Sequence, residues 1–225
     1  MKNFSKTTLF IFALIFAFAC EKKQEENKSA EKADSTAIDG ANNDAPANGM
    51  ELTYAVDTAE SAVKWTGKKV TGKHNGQVKI KSGQLTVKDA TVTGGTITLD
   101  MTSISNEDLT TAEDNAKLIG HLKSEDFFGV DKFPTATFTV KRIDAGKDKD
   151  DYVITGDLTI KGKSNEVSIP AKISQSDNQV TAKGTAVIDR TKWDIRYGSK
   201  DFFKNLGDKA IYNEVELDFE IRARR

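Results

Sequence analysis

From about residue 51 to the C-terminus, apolar and polar residues alternate in short runs separated by Gly, Asp and Asn. A period of two marks a β-strand with one buried face. The last run is the plainest: Val215, Leu217, Phe219 and Ile221 interleave with Glu214, Glu216, Asp218 and Glu220, so one face is buried and the other is wet. Three earlier faces share this form: Ile154, Gly156, Leu158 and Ile160; Val167, Ile169, Ala171 and Ile173; Val180, Ala182, Gly184, Ala186 and Ile188. Closer to the start, Val63 is in phase with Trp65, Val78 with Ile80, and Leu85 with Val87. Ile97, Leu99 and Met101 form a further face, with Val92 out of phase and Gly94-Gly95 between them, which predicts a bulge or sharp bend. About eight or nine such strands predict an all-β domain, either a closed antiparallel β-barrel or a sandwich. Alternation alone does not choose between them.

One segment breaks the period. Thr110-Thr-Ala-Glu113 has the form of a capping box, and Ala112, Ala116, Ile119 and Leu122 are spaced to share a helix face. The pattern predicts one α-helix that interrupts the strands and ends near Lys123. After it, Phe127, Phe128 and Phe133 crowd around Gly129 and Pro134. No single regular element can bury all three, so this stretch reads as a lid or corner folded onto something apolar. It leads into a strand with Ala136, Phe138 and Val140 on one face.

The N-terminal residues bear on compartment. Lys2 and Lys6 precede an apolar run over residues 9–18, followed by Ala19 and Cys20. Residues 1–19 read as a secretory signal peptide, because a bilayer-spanning helix needs ~20 apolar residues. Cys20 is the sole cysteine, which excludes a disulfide within the chain. It stands where a bacterial lipoprotein signal places its lipid-attachment cysteine, so membrane anchoring in the cell envelope is expected, with a soluble periplasmic form as the alternative. Residues 20–50 then form a tether too polar to offset its ordering entropy, and residues 51–225 form the folded domain.

Charge narrows the partners. The formal net charge is −1 and lysines are scattered among acids, so there is no nucleic-acid footprint. Arg190 continues the inward phase of Val180 to Ile188 and so points to the apolar side, where a guanidinium needs a partner. That partner is either an internal carboxylate or solvent at the strand end, or the diphosphate or polar head of a ligand. His121 lies at the edge of the helix's apolar face and is placed for a helix-to-lid hydrogen bond or a head-group contact. Arg142, beside Asp144, is expected to be exposed. Phe127, Phe128, Phe133, Trp65, Trp193 and Phe138 are candidates to line an apolar tunnel, or to be ordinary core. Many inward positions are Gly, Ala or Val, which leaves room in a barrel of about eight strands for one small ligand. No nucleophile-base pair, metal-ligand spacing or phosphate loop is present, so neither an enzyme nor a cofactor is expected.

Three separated motifs carry a resemblance: His121-Leu-Lys-Ser-Glu-Asp-Phe-Phe with Phe133-Pro-Thr-Ala-Thr-Phe138, Gly156-Asp-Leu-Thr-Ile-Lys-Gly162, and Arg190 followed by Trp193. Over residues 52–223 the chain resembles YceI-like polyisoprenoid-binding domains. The resemblance implies a lipocalin-like antiparallel β-barrel with one helix, an elongated pocket for an isoprenoid or quinone-like lipid, and no catalysis. Trp193-Asp194-Ile195 stands where members often have Phe-Gly-Ile, which would put an indole and a carboxylate near the mouth. The expected function is an exported lipid carrier, with a packed scaffold serving surface interaction or stress protection as the alternative. A homodimer is left open.

Overall fold

The computed structural model describes residues 49–176 and 178–225, so the expected signal, Cys20 and nearly all of the tether lie outside the described residues. Within them the alternation resolves into β1 (Glu51–Val56), β2 (Ala62–Lys69), β3 (Gly72–Lys88), β4 (Thr91–Asn106), β5 (Thr135–Ala145), β6 (Asp151–Ile160), β7 (Lys163–Ser176), β8 (Gln179–Asp189) and β9 (Ile211–Arg224). A single helix, α1 (Ala112–Lys123), stands between β4 and β5.

Strands pair antiparallel in the order β3-β2-β9-β8-β7-β6-β5-β4, and β4 returns to β3. β1 adds no ninth stave. Tyr54 faces Leu85 on β3 while Val63 faces Val78 on the same strand, so β1 and β2 lie end to end as one interrupted stave. Asp57 turns the chain at that break, its carboxylate accepting from the N–H groups of Ala59 and Glu60 at 3.1 Å each. The product is an eight-stranded closed barrel with one helix, and closure leaves no unpaired sheet edge of the kind a sandwich retains.

Closing the sheet takes local bends. The one expected at Gly94-Gly95 is a bulge, where pairing steps from Thr86 with Gly94 to Val87 with Val92 and leaves Thr93 unopposed. A Cβ on Gly95, which has φ +155°, would stand 2.6 Å from the Gln84 carbonyl oxygen. β3 therefore comes closer than any side chain allows. In β5 a second bulge steps from Val140 opposite Gly156 to Arg142 opposite Thr155. It turns Ile143 toward the core and leaves Arg142 outside, paired with Asp144 at 2.7 Å.

The helix starts one residue later than the capping box suggests. Thr111 is its N-cap, with Oγ1 accepting from the Asp114 N–H at 3.3 Å. Its inward face shifts accordingly. Ala112 and Ala116 are exposed, while Leu122 is buried and Leu118 and Ile119 are half-buried.

Candidate functional site

One end of the barrel is closed by α1 and the stretch after it. Residues 124–134 run as consecutive tight turns: the Phe127 and Gly129 N–H groups donate to the Ser124 carbonyl, Val130 to Lys123, and Phe133 to Gly129. Backbone groups satisfied this way let an irregular segment cover an apolar interior. Phe127 and Val130 are buried under it, and the Met101 N–H donates to the Pro134 carbonyl at 2.9 Å, which ties the segment to β4.

Beneath this lid the barrel is hollow. An outer chamber of about 160 Å³ lies against α1 and the lid, and an inner one of about 110 Å³ lies deeper. Val63, Leu99, Leu158 and Leu217 line both chambers and form the neck between them. Leu99, Phe138, Val140, Val215, Leu217 and Phe219 face these chambers yet are only half-buried. Their remaining surface looks into the cavity. A cavity of about 150 Å³ takes one six-carbon ring, so a ligand that occupies both chambers must be slender enough to thread the neck.

Both chambers present almost wholly apolar surface. The inner chamber has only apolar side chains, among them Ile97, Phe138, Ile154, Ala182 and Phe219. At the outer chamber Lys68, Lys69, His74, Arg190 and Tyr212 join Trp65, Leu118, Leu122, Phe127, Phe128 and Ile195. These longer residues reach the outer chamber mainly through their carbon atoms.

Arg190 is 4% exposed, and its position follows from two strand ends. β8 ends at Asp189, paired with Glu214, and the β2–β9 ladder jumps from Gly67 with Val215 to Lys69 with Ile211. Arg190 fills the gap: Nε donates to the Tyr212 carbonyl at 3.1 Å, Nη2 to Ile211 at 3.2 Å and Nη1 to Ile195 at 2.6 Å. These are dipoles, not a counter-charge. Among the described residues no carboxylate forms an ion pair with it, and the neighbouring Asp189 accepts instead from the N–H and hydroxyl of Thr191. Burial pulls the guanidinium pKa below its usual value, with Asp189 opposing, and the group stays charged.

The other sequence candidates fall in several places. Trp65, Phe127 and Phe128 line the outer chamber and Phe138 the inner one. Trp65 also donates Nε1–H to the Ser105 carbonyl at 3.1 Å. Phe133 touches neither chamber and lies against the β6–β7 turn, where a Cβ on Gly162 would come within 2.9 Å of its ring. Trp193 is fully buried and donates to the Leu158 carbonyl at 2.8 Å. Asp194 leaves the interior to pair with Lys163 at 3.1 Å and Arg196 at 2.7 Å. His121 lies beside the chamber: its ring is edge-on to Phe127 and Tyr197, with centroids at 4.9 and 4.5 Å, and Nε2 is 3.2 Å from Asp126 of the lid. The alternation had not singled out Lys68, Lys69, Leu118, Ile195 and Tyr212. Lys68, Lys69 and Tyr212 come from strand ends, Leu118 from a helix face offset by one residue, and Ile195 from the turn after β8.

A polar latch joins the β2–β3 hairpin to the approach to α1. Asp108 accepts from the Asn75 N–H, from His74 Nδ1 at 2.8 Å and from Asn106 Nδ2. Asn115 on α1 donates to the carbonyls of Asn106 and Leu109. Partial burial pushes the Asp108 carboxyl up, but the Asn75 N–H, His74 and Asn106 together hold it below the usual carboxylate value. A folded pKa below the unfolded one adds stability above the ordinary carboxylate range of ~4, and that stability is lost as the pH falls through the folded value. Asp108→Asn will therefore flatten the acid side of the stability profile, read as the urea midpoint at successive pH values, while changing it less near neutrality. An unchanged acid slope would remove the latch from the account.

The YceI-like domain family matches residues 54–223. Protein YceI of Escherichia coli O17:K52:H18 is 39% identical over 83 residues, 36% of this chain and 39% of that protein. A UPF0312 protein of Staphylococcus aureus (strain USA300) is 33% identical over 118 residues, 49% of this chain and 61% of that protein. Both matches span less than two thirds of the relative's length. The crystal structure of Burkholderia cenocepacia BcnA aligns with a TM-score of 0.60 and 26% identity, covering 75% of this chain and 99% of that one. A polyisoprenoid binding domain from Saccharophagus degradans, implicated in plant cell wall breakdown, aligns with a TM-score of 0.56 over 76% of this chain and 97% of that one; at 13% identity it speaks for the fold alone.

Proposed function

Because the chain belongs to the family of YceI-like domains, we propose that it binds an elongated apolar lipid, of polyisoprenoid or quinone-like type, and holds it inside the barrel for sequestration or transport. The observation that carries this reading is the hollow, two-chambered interior, almost wholly apolar in surface, with charged residues bordering only the lid-end chamber. A scaffold acting through its outer face has no use for half-buried inward residues such as Leu217 and Phe219. Burial supplies the drive, at ~25 cal/mol per Å² of apolar surface before association costs are deducted. The ligand binds without chemical change. In this reading the tail passes the neck and the head stays near Arg190, Lys69 and Tyr212. Export under residues 1–19 and lipid attachment at Cys20 would hold the barrel beside the membrane that supplies its ligand.

Arg190 gives the reading a chemical test. It commits three hydrogen bonds to carbonyls, and a guanidinium has five N–H donors, so it retains both charge and donors for an anionic head. Arg190→Leu is expected to weaken a polyprenyl diphosphate by about tenfold or more, while a polyprenol of equal tail length binds within about twofold of wild type. Since Arg190 also supports the fold, Arg190→Lys serves as a second variant that keeps the cation and loses the fork. Equal losses for both lipids, measured by titration in either variant, would remove Arg190 from head-group recognition.

A further inference from the structure

Lys68 and Tyr212 line the outer chamber and are exposed, so the chamber opens to the surface between the end of β2 and the start of β9; exposed aromatic side chains and cations ring this mouth. Among the described residues Val70, Tyr197, Phe202, Phe203 and Tyr212 are five of the eight large apolar side chains left exposed. They belong to the tip of the β2–β3 hairpin and to residues 197–212, which are joined: the Val70 N–H donates to the Ala210 carbonyl at 3.1 Å, and the Ile211 N–H to Gly198 at 2.9 Å. Tyr212 also lines the outer chamber, and Tyr197 packs on His121 and Phe127 of the lid. The patch is thus continuous with the way in.

Its exposure is built, not incidental. Phe202 and Phe203, 46% and 47% exposed, both donate their N–H groups to the carbonyl of the buried Ser199, at 3.2 and 2.9 Å. Asn213 donates to Asp201 at 2.6 Å, and the Arg196 guanidinium lies 4.6 Å from the Phe202 ring centre. This backbone presents two adjacent phenyl rings to water, a hydrophobic cost that a free monomer does not need.

Charge says what meets them. Residues 196–212 carry Arg196, Lys200, Lys204 and Lys209 against Asp201 and Asp208, and the hairpin adds Lys68, Lys69 and Lys73 with no acid between residues 67 and 74. Within these two segments seven cations stand against two acids, in a chain whose formal net charge is −1, and Glu216, Asp194 and Asp108 border them. Lys68 and Arg196 are paired with Glu216 and Asp194, and no ion pair is formed by Lys69, Lys73, Lys200, Lys204 or Lys209 among the described residues. Aromatics that enter the headgroup region beside lysines that face anionic lipid are the features of an interfacial membrane contact. An acidic protein would satisfy the lysines but would not call for outward phenyl rings at the entrance of a lipid cavity.

We infer that residues 67–74 and 196–212 form a docking surface for the face of an anionic lipid bilayer, which sets the mouth against the membrane so that the ligand enters without crossing water. The inference rests on the lipid-binding reading and extends it to how the cavity is loaded.

Hydrogen exchange on the full protein, with pure phosphatidylcholine vesicles and with vesicles that also contain phosphatidylglycerol, tests it. Any N-terminal anchor would engage both kinds alike. Slowed exchange confined to residues 67–74 and 196–212, seen only with phosphatidylglycerol and reversed by salt, is the expected result. The double variant F202S/F203S should lose this protection and take up a polyprenyl lipid from the anionic vesicles about tenfold more slowly. It should bind a short water-dispersible isoprenoid alcohol as wild type does. Exchange unchanged by either vesicle would overturn the inference. So would protection that appears without vesicles at high protein concentration, which would assign the patch to a second copy of the chain. A protein that shows the vesicle protection but binds no isoprenoid in any form would keep the docking surface and sink the lipid-binding reading.

Discussion

Replacing Leu217 with tryptophan will fill the neck without destabilising the barrel. In a close-packed core an enlarged side chain costs about 1–3 kcal/mol, but Leu217 is half-buried and borders both chambers. The larger ring has free space to enter, so the urea midpoint should stay within about 0.5 kcal/mol of wild type once converted to stability. Binding will change far more. If the plug excludes about 100 Å² of tail from the inner chamber, the loss is about 2.5 kcal/mol, or about 60-fold in affinity. Short ligands confined to the outer chamber keep theirs. A destabilised variant that binds long tails normally would mean that the neck is packed and the tail goes elsewhere.

The opposite pattern is expected at Trp193. Among the described residues it is the largest fully buried side chain, and its indole N–H satisfies the Leu158 carbonyl. Trp193→Ala should cost about 3–5 kcal/mol for the void, plus about 1 kcal/mol for the abandoned carbonyl. For a domain of this size that corresponds to a fall of about 10–20 °C in Tm. Trp193→Phe should recover most of the packing term and none of the hydrogen bond. Calorimetry of both variants separates the terms, and an alanine variant as stable as wild type would show that the turn at residues 190–193 is not part of the core. The two substitutions give opposite results because one site faces a cavity and the other faces packed side chains.

That difference marks where the sequence stops being informative. Alternation identified the inward side of β9 through Val215, Leu217, Phe219 and Ile221, and it pointed Arg190 inward. It carries no measure of how far apart opposing walls stand, so it could not distinguish a hollow barrel from a filled one. Leu217 and Ile221 read alike in sequence, yet one borders the neck half-buried and the other is buried core lining the inner chamber. Arg190's partners were equally hidden. They are the carbonyls of Ile195, Ile211 and Tyr212, made available by a step in the β2–β9 ladder that no residue type announces. Gly94-Gly95 did announce its bulge, because a close approach of β3 leaves no room for a side chain. In the lid, Phe127, Phe128 and Phe133 look equivalent by spacing, and the tight turn at Gly129, with φ +54°, separates them. Two face the outer chamber, and the third lies on Gly162 across the β6–β7 turn.

Native mass spectrometry of the protein purified from its cells without detergent tests the central claim most directly. The expected result is a population carrying one apolar molecule of defined mass, released on denaturation and replaced by an added polyprenyl lipid. A uniformly bare chain that takes up no added polyprenyl lipid would contradict it.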